Sequence, residues 1–129
     1  MRAFTFRDEF TYRGHKATTL VELVRPWVRT VLKVEMSLDT GAEISVLNRM
    51  FLRQLRLNVT DGSSATLTVA NGDTAQAYIH PVEIRFLGRQ MTVQVAICPD
   101  WDTENLLGMQ GFFDQMVVAF DHAQWRIYV

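Results

Sequence analysis

Val34-Glu35-Met36-Ser37-Leu38-Asp39-Thr40-Gly41-Ala42, continued after Glu43 by Ile44-Ser45-Val46-Leu47, is the stretch on which the fold turns. Val34, Met36 and Leu38 alternate with polar residues, as a half-buried strand requires. The run then ends on a carboxylate, a small hydroxyl residue and a glycine, which suits a tight turn holding the acid in a cleft. Gly41 lets the backbone approach a neighbour closely, and Thr40 can both donate and accept the hydrogen bonds that fix the turn. Alone, the tripeptide is a weak signal. Average residue usage produces it in about one chain in a few dozen of this length, and an ordinary β-turn whose Asp bonds its own backbone accounts for it.

Alternation continues on both sides. Residues 3–12 place Phe4, Phe6, Phe10 and Tyr12 on one parity, and residues 17–24 and 28–38 read as strands joined around Arg25-Pro26-Trp27. Further strand-like runs are 65–70, 74–79, 81–87 and 90–97, and 117–129 reads as two short strands around Asp121-His122. Asn71-Gly72 lies between two such runs and signals a hairpin, because both residues tolerate positive φ. Helical spacing is brief. Leu47, Met50 or Phe51, and Leu55 make one stripe over 47–55, and 109–116 predicts a second short helix. The class is mainly β, a closed, barrel-like sheet with one or two short helices.

The chain has 129 residues, a single-domain length that buries roughly two-thirds of the surface of the unfolded chain. No linker, repeat or low-complexity tract divides it. Thirteen basic and fourteen acidic residues give a net charge of -1, which argues against a nucleic-acid-binding or polybasic membrane surface. One cysteine, Cys98, excludes an intramolecular disulfide and a Cys-ligated zinc site. The aromatic, charged start is no signal-peptide core, and no uncharged stretch reaches the ~20 apolar residues of a membrane span. Cytoplasmic residence is the expectation.

Four features in order resemble the retropepsin-like aspartic proteases, the family of retroviral proteases and their cellular and bacterial single-lobe relatives. They are the strand into Asp39-Thr40-Gly41-Ala42, a hairpin around Ala70-Asn71-Gly72-Asp73, the strands around Leu87-Gly88-Arg89, and Asn105-Leu106-Leu107-Gly108-Met109 before a short helix. The resemblance covers residues 28–129, while residues 1–24 hold N-terminal strands of uncertain correspondence. It implies the acid-protease fold and a water-activating carboxyl pair, with no cofactor, no metal, and a protein or peptide as substrate. Asp39, Thr40 and Gly41 would be catalytic. Ala42, Glu43, Val69, Ala70, Asn71, Gly72, Asp73 and Leu106 would bind substrate, the 66–78 hairpin closing over it as a flap. It further implies an acidic-to-neutral optimum and sensitivity to statine-type transition-state mimics.

There is one Asp-Thr-Gly, so the second carboxyl would come from another copy in a two-fold dimer, with Thr40 bonded across the axis. Retroviral members often carry an acid two residues after the first glycine and an arginine after the second. Here Glu43 and Met109 stand there, so the usual ion pair is absent, and Gly72 alone supplies the flap's glycine. A different reading of the same fold is a dimerisation or peptide-binding module with little turnover.

Other residues read as structural. His15 and His122 sit in polar, turn-like contexts, and His80 precedes Pro81 in a strand. Cys98 reads as a buried small hydrophobe, and Phe112, Phe113 and Trp125 as core or interface. Arg49, Arg53 and Arg56 form a solvated face, and Asp102-Thr103-Glu104 a solvated acidic loop.

Overall fold

A computed structural model describes residues 5–12, 16–68 and 72–129. The strands are β1 (Glu9–Thr11), β2 (Thr18–Leu23), β3 (Leu32–Leu38), β4 (Ser45–Val46) and β5 (Ser63–Thr68), then β6 (Thr74–Phe86), β7 (Arg89–Ile97), β8 (Leu106–Leu107), β9 (Ala119–Asp121) and β10 (Arg126–Tyr128). The larger sheet runs β2-β3-β8-β4-β7-β6-β5, and β2 also pairs with β6. That extra pairing, Glu22 to Arg85 and Leu23 to Ile84, closes six strands into a barrel and leaves β5 outside the ring. Closure removes the exposed edges an open sheet would present.

The interior follows from alternation. Val21 and Leu23 on β2, Val34 and Met36 on β3, Val82, Ile84 and Phe86 on β6, and Val93 and Val95 on β7 point inward and are buried. Phe112 and Phe113 plug the barrel end, with Phe112 set edge-on to Phe86 at 5.1 Å between centroids. Each such side chain contributes about 1.5–3 kcal/mol by leaving water. Leu87 and Gly88 both have positive φ, the geometry of a two-residue hairpin turn, and join β6 to β7.

Two expected strands, 74–79 and 81–87, are one. β6 runs straight through His80-Pro81, because of where the proline's missing N–H falls. Alternate residues of a ladder bond to opposite neighbours, and the Glu83 carbonyl accepts from the Val24 N–H at 2.9 Å. Pro81 therefore faces the β5/β2 side, where β5 has ended at the Ser63–Ile79 pair and β2 starts at Leu23–Ile84. No donor is needed in that seam. His80 beside it is buried, its Nε2 donating to the Val59 carbonyl at 2.8 Å, in keeping with a structural role.

The two expected helices shrink to single 3-10 turns, Arg49–Phe51 and Phe113–Gln115, and a third lies at Val59–Asp61. Asn48 caps the first through its Oδ1, but Arg56 turns left-handed (φ 54) before a regular helix can form. Gly111 (φ 82) breaks the second. Runs this short are marginal without such interruptions. The strand expected over 3–12 is confined to Glu9–Thr11, since the Arg7 and Asp8 N–H groups both converge on the Val129 carbonyl and end the ladder; Phe4 lies outside the described residues. The strand expected from 28 starts at Leu32. Trp125 is half-exposed in the turn between β9 and β10 (φ 57) rather than in a strand, lying against Tyr12. β9, β10 and β1 form a separate small antiparallel sheet, so 117–129 is two strands as expected.

Candidate active site

Asp39 leaves the end of β3 into a turn fixed from both sides. Its N–H donates to the Leu107 carbonyl at 3.0 Å, and its own carbonyl accepts from the Ala42 N–H at 3.2 Å. The carboxylate Oδ1 accepts from the Gly41 N–H at 2.9 Å. A Cβ on Gly41 would stand 3.2 Å from that oxygen, so the glycine keeps the approach open. One carboxylate oxygen is thus positioned by its own backbone, and Asp39, Thr40 and Gly41 are all exposed.

The Leu106-Leu107-Gly108 segment supports this turn from behind. β8 pairs in parallel with β3, Ser37 to Leu106 and Leu38 to Leu107. Gly108 then passes so close to the chain at Ala42–Ile44 that a Cβ would lie 2.7 Å from the Ile44 carbonyl and 2.8 Å from that of Ala42. The Gly108 N–H donates to the buried Ser45 Oγ at 3.0 Å, and the Met109 and Gln110 N–H groups donate to the carbonyls of Ala42 and Glu43 at 2.8 and 2.9 Å. The two motifs some seventy residues apart in sequence are one structural unit, and glycine is the only residue that lets them touch.

A cleft of about 350 Å³ opens beside the acid, lined by Asp39, Thr40, Leu106, Ser37, Leu38, Ala17, Phe120, His122, Lys16 and Glu104. Of the expected site residues it gathers Asp39, Thr40 and Leu106. Ala42 and Glu43 are not in its wall. The Ala42 N–H and carbonyl and the Glu43 carbonyl are each engaged in a hydrogen bond inside the turn. Val69, Ala70 and Asn71 lie outside the described residues, as does His15. Gly72 (φ 90) and Asp73 are exposed, and Thr68 at the end of β5 pairs with Thr74 at the start of β6.

The lining adds residues that sequence reasoning passed over. Glu104 is not simply solvated: Lys16 Nζ donates to its Oε1 at 2.6 Å. Its neighbour Asp102 accepts from Arg49 Nε at 2.9 Å, so the acidic loop is tied down at two points and Arg49 is not a free surface charge. Arg56 likewise lies over the Trp27 ring, at 5.1 Å from its centroid. His122 is exposed but engaged, its Nδ1 hydrogen-bonded to the Tyr12 hydroxyl and its ring stacked on Phe120. Nothing local marks these positions; they meet only through the β2-β3-β8 register. Cys98 is buried, and burial first, with Asp100 nearby, pushes its thiol above the ordinary value, as befits an inert thiol. Among the described residues no three His, Cys, Asp or Glu side chains cluster as metal ligands, and no helix is long and apolar enough to cross a membrane.

The chain matches the family model described as gag-polyprotein putative aspartyl protease over residues 30–113, more than half of its length. No curated protein matches it significantly. Among solved structures, EIAV protease complexed with the inhibitor HBY-793 is similar, with a TM-score of 0.56 and 22% identity over 78% of this chain and 88% of that one. At that identity the likeness is one of fold, and the fold is the closed retropepsin barrel built above.

Proposed function

The chain belongs to this family of retroviral-type aspartyl proteases, and on that premise we propose that it is an endopeptidase acting as a homodimer, with Asp39 of each copy forming the catalytic pair. The observation that carries the reading is the exposed, backbone-fixed Asp39-Thr40-Gly41 turn beside a cleft of about 350 Å³. Peptide hydrolysis by this route uses two carboxyls about one water apart. The ionised one takes a proton from the attacking water while the protonated one gives a proton to the scissile carbonyl oxygen. Two carboxyls so close cannot both ionise, and they share one proton; aspartic proteases are the standard illustration of this rule.

One copy supplies one such acid. A two-fold axis beside Asp39 brings in the second without any further residue, and Thr40, next in the chain, braces the pair across it. The 66–78 hairpin closes over the bound peptide and excludes water from the reaction. Incubation with a proteome-derived peptide library, read by mass spectrometry, tests the reading. Wild-type protein cleaves, and Asp39→Asn does not; cleavage that survives Asp39→Asn removes Asp39 from the mechanism. Sedimentation gives the second measurement. A chain that stays monomeric at every concentration while cutting peptides sinks the shared site, and a non-cutting dimer marks a peptide-binding module instead.

A further inference from the structure

The cleft beside Asp39 is not uniformly apolar. Ala17, Leu38, Leu106 and Phe120 give it an oily lining, and across that lining stands the ion pair between Lys16 and Glu104. Lys16 leads into β2 and Glu104 into β8, the two strands that flank β3, so the pair joins the cleft's opposite walls. The segment carrying Glu104 is clamped. Asn105 Oδ1 accepts from the Asn48 N–H, Asn48 Nδ2 donates to the Thr103 carbonyl, both at 2.8 Å, and Arg49 Nη1 donates to the Pro99 carbonyl at 2.9 Å. Both charged side chains are more than half exposed, so the pair adds little to stability. It nevertheless lines the same cleft as Asp39.

We propose, resting on the peptidase reading, that Lys16 and Glu104 determine substrate specificity at the residues flanking the scissile bond. They favour a long side chain with a basic end and reject an acidic one. The apolar lining takes the methylene stem. The ion pair is neutral overall and each of its charges compensates the other, so the negative charge carried by the catalytic pair sets the sign of the preference. A basic end group seats on Glu104 with that charge in its favour, whereas an acidic one, which would seat on Lys16, is repelled by it. A carboxylate has acceptor sites for about four hydrogen bonds and an ammonium three donors, so the pair can receive a third group without first breaking. His122, held by Tyr12 and Phe120, bounds the same space and limits its size. A two-fold dimer repeats the pair on the other side of the cut, so the preference applies to both flanking residues.

Peptides differing only in Lys or Glu at those two positions test this with wild type, Lys16→Met and Glu104→Gln. The readout is the ratio of kcat/KM for the Lys peptide over the Glu peptide. Wild type gives a ratio above one. Lys16→Met raises it about fivefold and Glu104→Gln lowers it about fivefold, the scale of one partly exposed charge interaction. A merely structural pair would slow both peptides alike, leaving the ratio fixed. A fixed ratio, or shifts in the same direction, overturns the proposal. Uncleavable reduced-amide versions of the two peptides, measured by calorimetry, give the same comparison without turnover. If wild type binds but never cuts, the peptidase reading fails while opposite affinity shifts in the variants still uphold the pocket. Equal binding of the two peptides, or none of either, overturns the pocket as well.

Discussion

Replacing Gly108 by alanine should cost stability and catalysis together, and the two losses can be worked from one contact. The added Cβ falls 2.7 Å from the Ile44 carbonyl atoms and 2.8 Å from the Ala42 oxygen, all backbone, where ordinary contact begins at 3.4 Å. The chains must therefore part by 3.4 − 2.7 = 0.7 Å. Residues 42–45 cannot move freely, because hydrogen bonds from Met109, Gln110 and the Gly108 N–H itself anchor them. Overpacking of this kind costs about 1–3 kcal/mol, and stretching the buried bonds adds about 1 more. A total near 3 kcal/mol lowers Tm by about 10 °C for a domain of this size. Because Ala42 closes the Asp39 turn, kcat/KM should fall by up to about 100-fold at temperatures where the variant is fully folded. Gly62→Ala is the control. Its Cβ would press on the Ile79 carbonyl and the His80 ring, both at 2.6 Å, away from the cleft. It should lose comparable stability yet keep the activity of its folded fraction. Thermal unfolding followed by tryptophan fluorescence, with peptidase rates well below Tm, decides the matter. A Gly108→Ala protein with unchanged Tm, or one that is destabilised but fully active when folded, refutes the claim that this close approach positions Asp39.

Four further outcomes are expected. Ser45→Ala deprives the Gly108 N–H of its buried acceptor and should cost about 1–3 kcal/mol in urea unfolding, with an unchanged m-value. Phe112→Ala empties the end of the barrel, where the ring packs against both Phe86 and Phe113, and should cost about 3–5 kcal/mol by the same measurement. Cys98 favours its neutral thiol in the folded state, since burial and then Asp100 raise its pKa above 9.0. The folded chain therefore binds more protons than the unfolded one above that pH. The resulting stability is present below about pH 9 and is lost as pH rises beyond it, so the wild-type advantage over Cys98→Ala should shrink from pH 9 to 11. Iodoacetamide should label Cys98 at pH 8 only after denaturant is added.

The parts of the fold that the chain advertises are those set by local alternation. β2, β3, β7 and the β9–β10 hairpin have their inward residues two apart, and that period survives in the sequence whatever the strands later pair with. The elements that build the site are different in kind. β4 and β8 are two residues each, too short to show any period, and are strands only because β7 and β3 lie alongside in parallel. Leu106-Leu107-Gly108 was legible as a motif, but its reason, the missing Cβ against Ile44, belongs to tertiary contact. Lys16 and Glu104 are 88 residues apart, and no spacing rule connects them. The 3-10 turns read as helices in the sequence because an apolar stripe of two turns does not reveal a left-handed Arg56 or a Gly111 that stops it.

That the cleft contains a second carboxylate of the same chain makes the origin of the catalytic pair a sharper question. Glu104 could in principle complete an intrachain dyad with Asp39. Two observations stand against it. β3 and β8 are parallel, and Asp39 follows the end of the first whereas Glu104 precedes the start of the second, so the acids leave from opposite ends of the pair. Glu104 is also committed to an ion pair, its Oε1 accepting from the Lys16 ammonium at 2.6 Å. Asp102 and Asp121 are committed elsewhere, to Arg49 and to the Gln124 N–H. Glu104→Gln separates the alternatives in one measurement. An intrachain dyad loses all turnover on every peptide. A pair made from two copies of Asp39 keeps cutting neutral peptides within about fivefold of wild type, since only one partly exposed charge beside the cleft has changed. Complete loss on neutral peptides by a folded, dimeric Glu104→Gln protein would return the second carboxyl to the same chain.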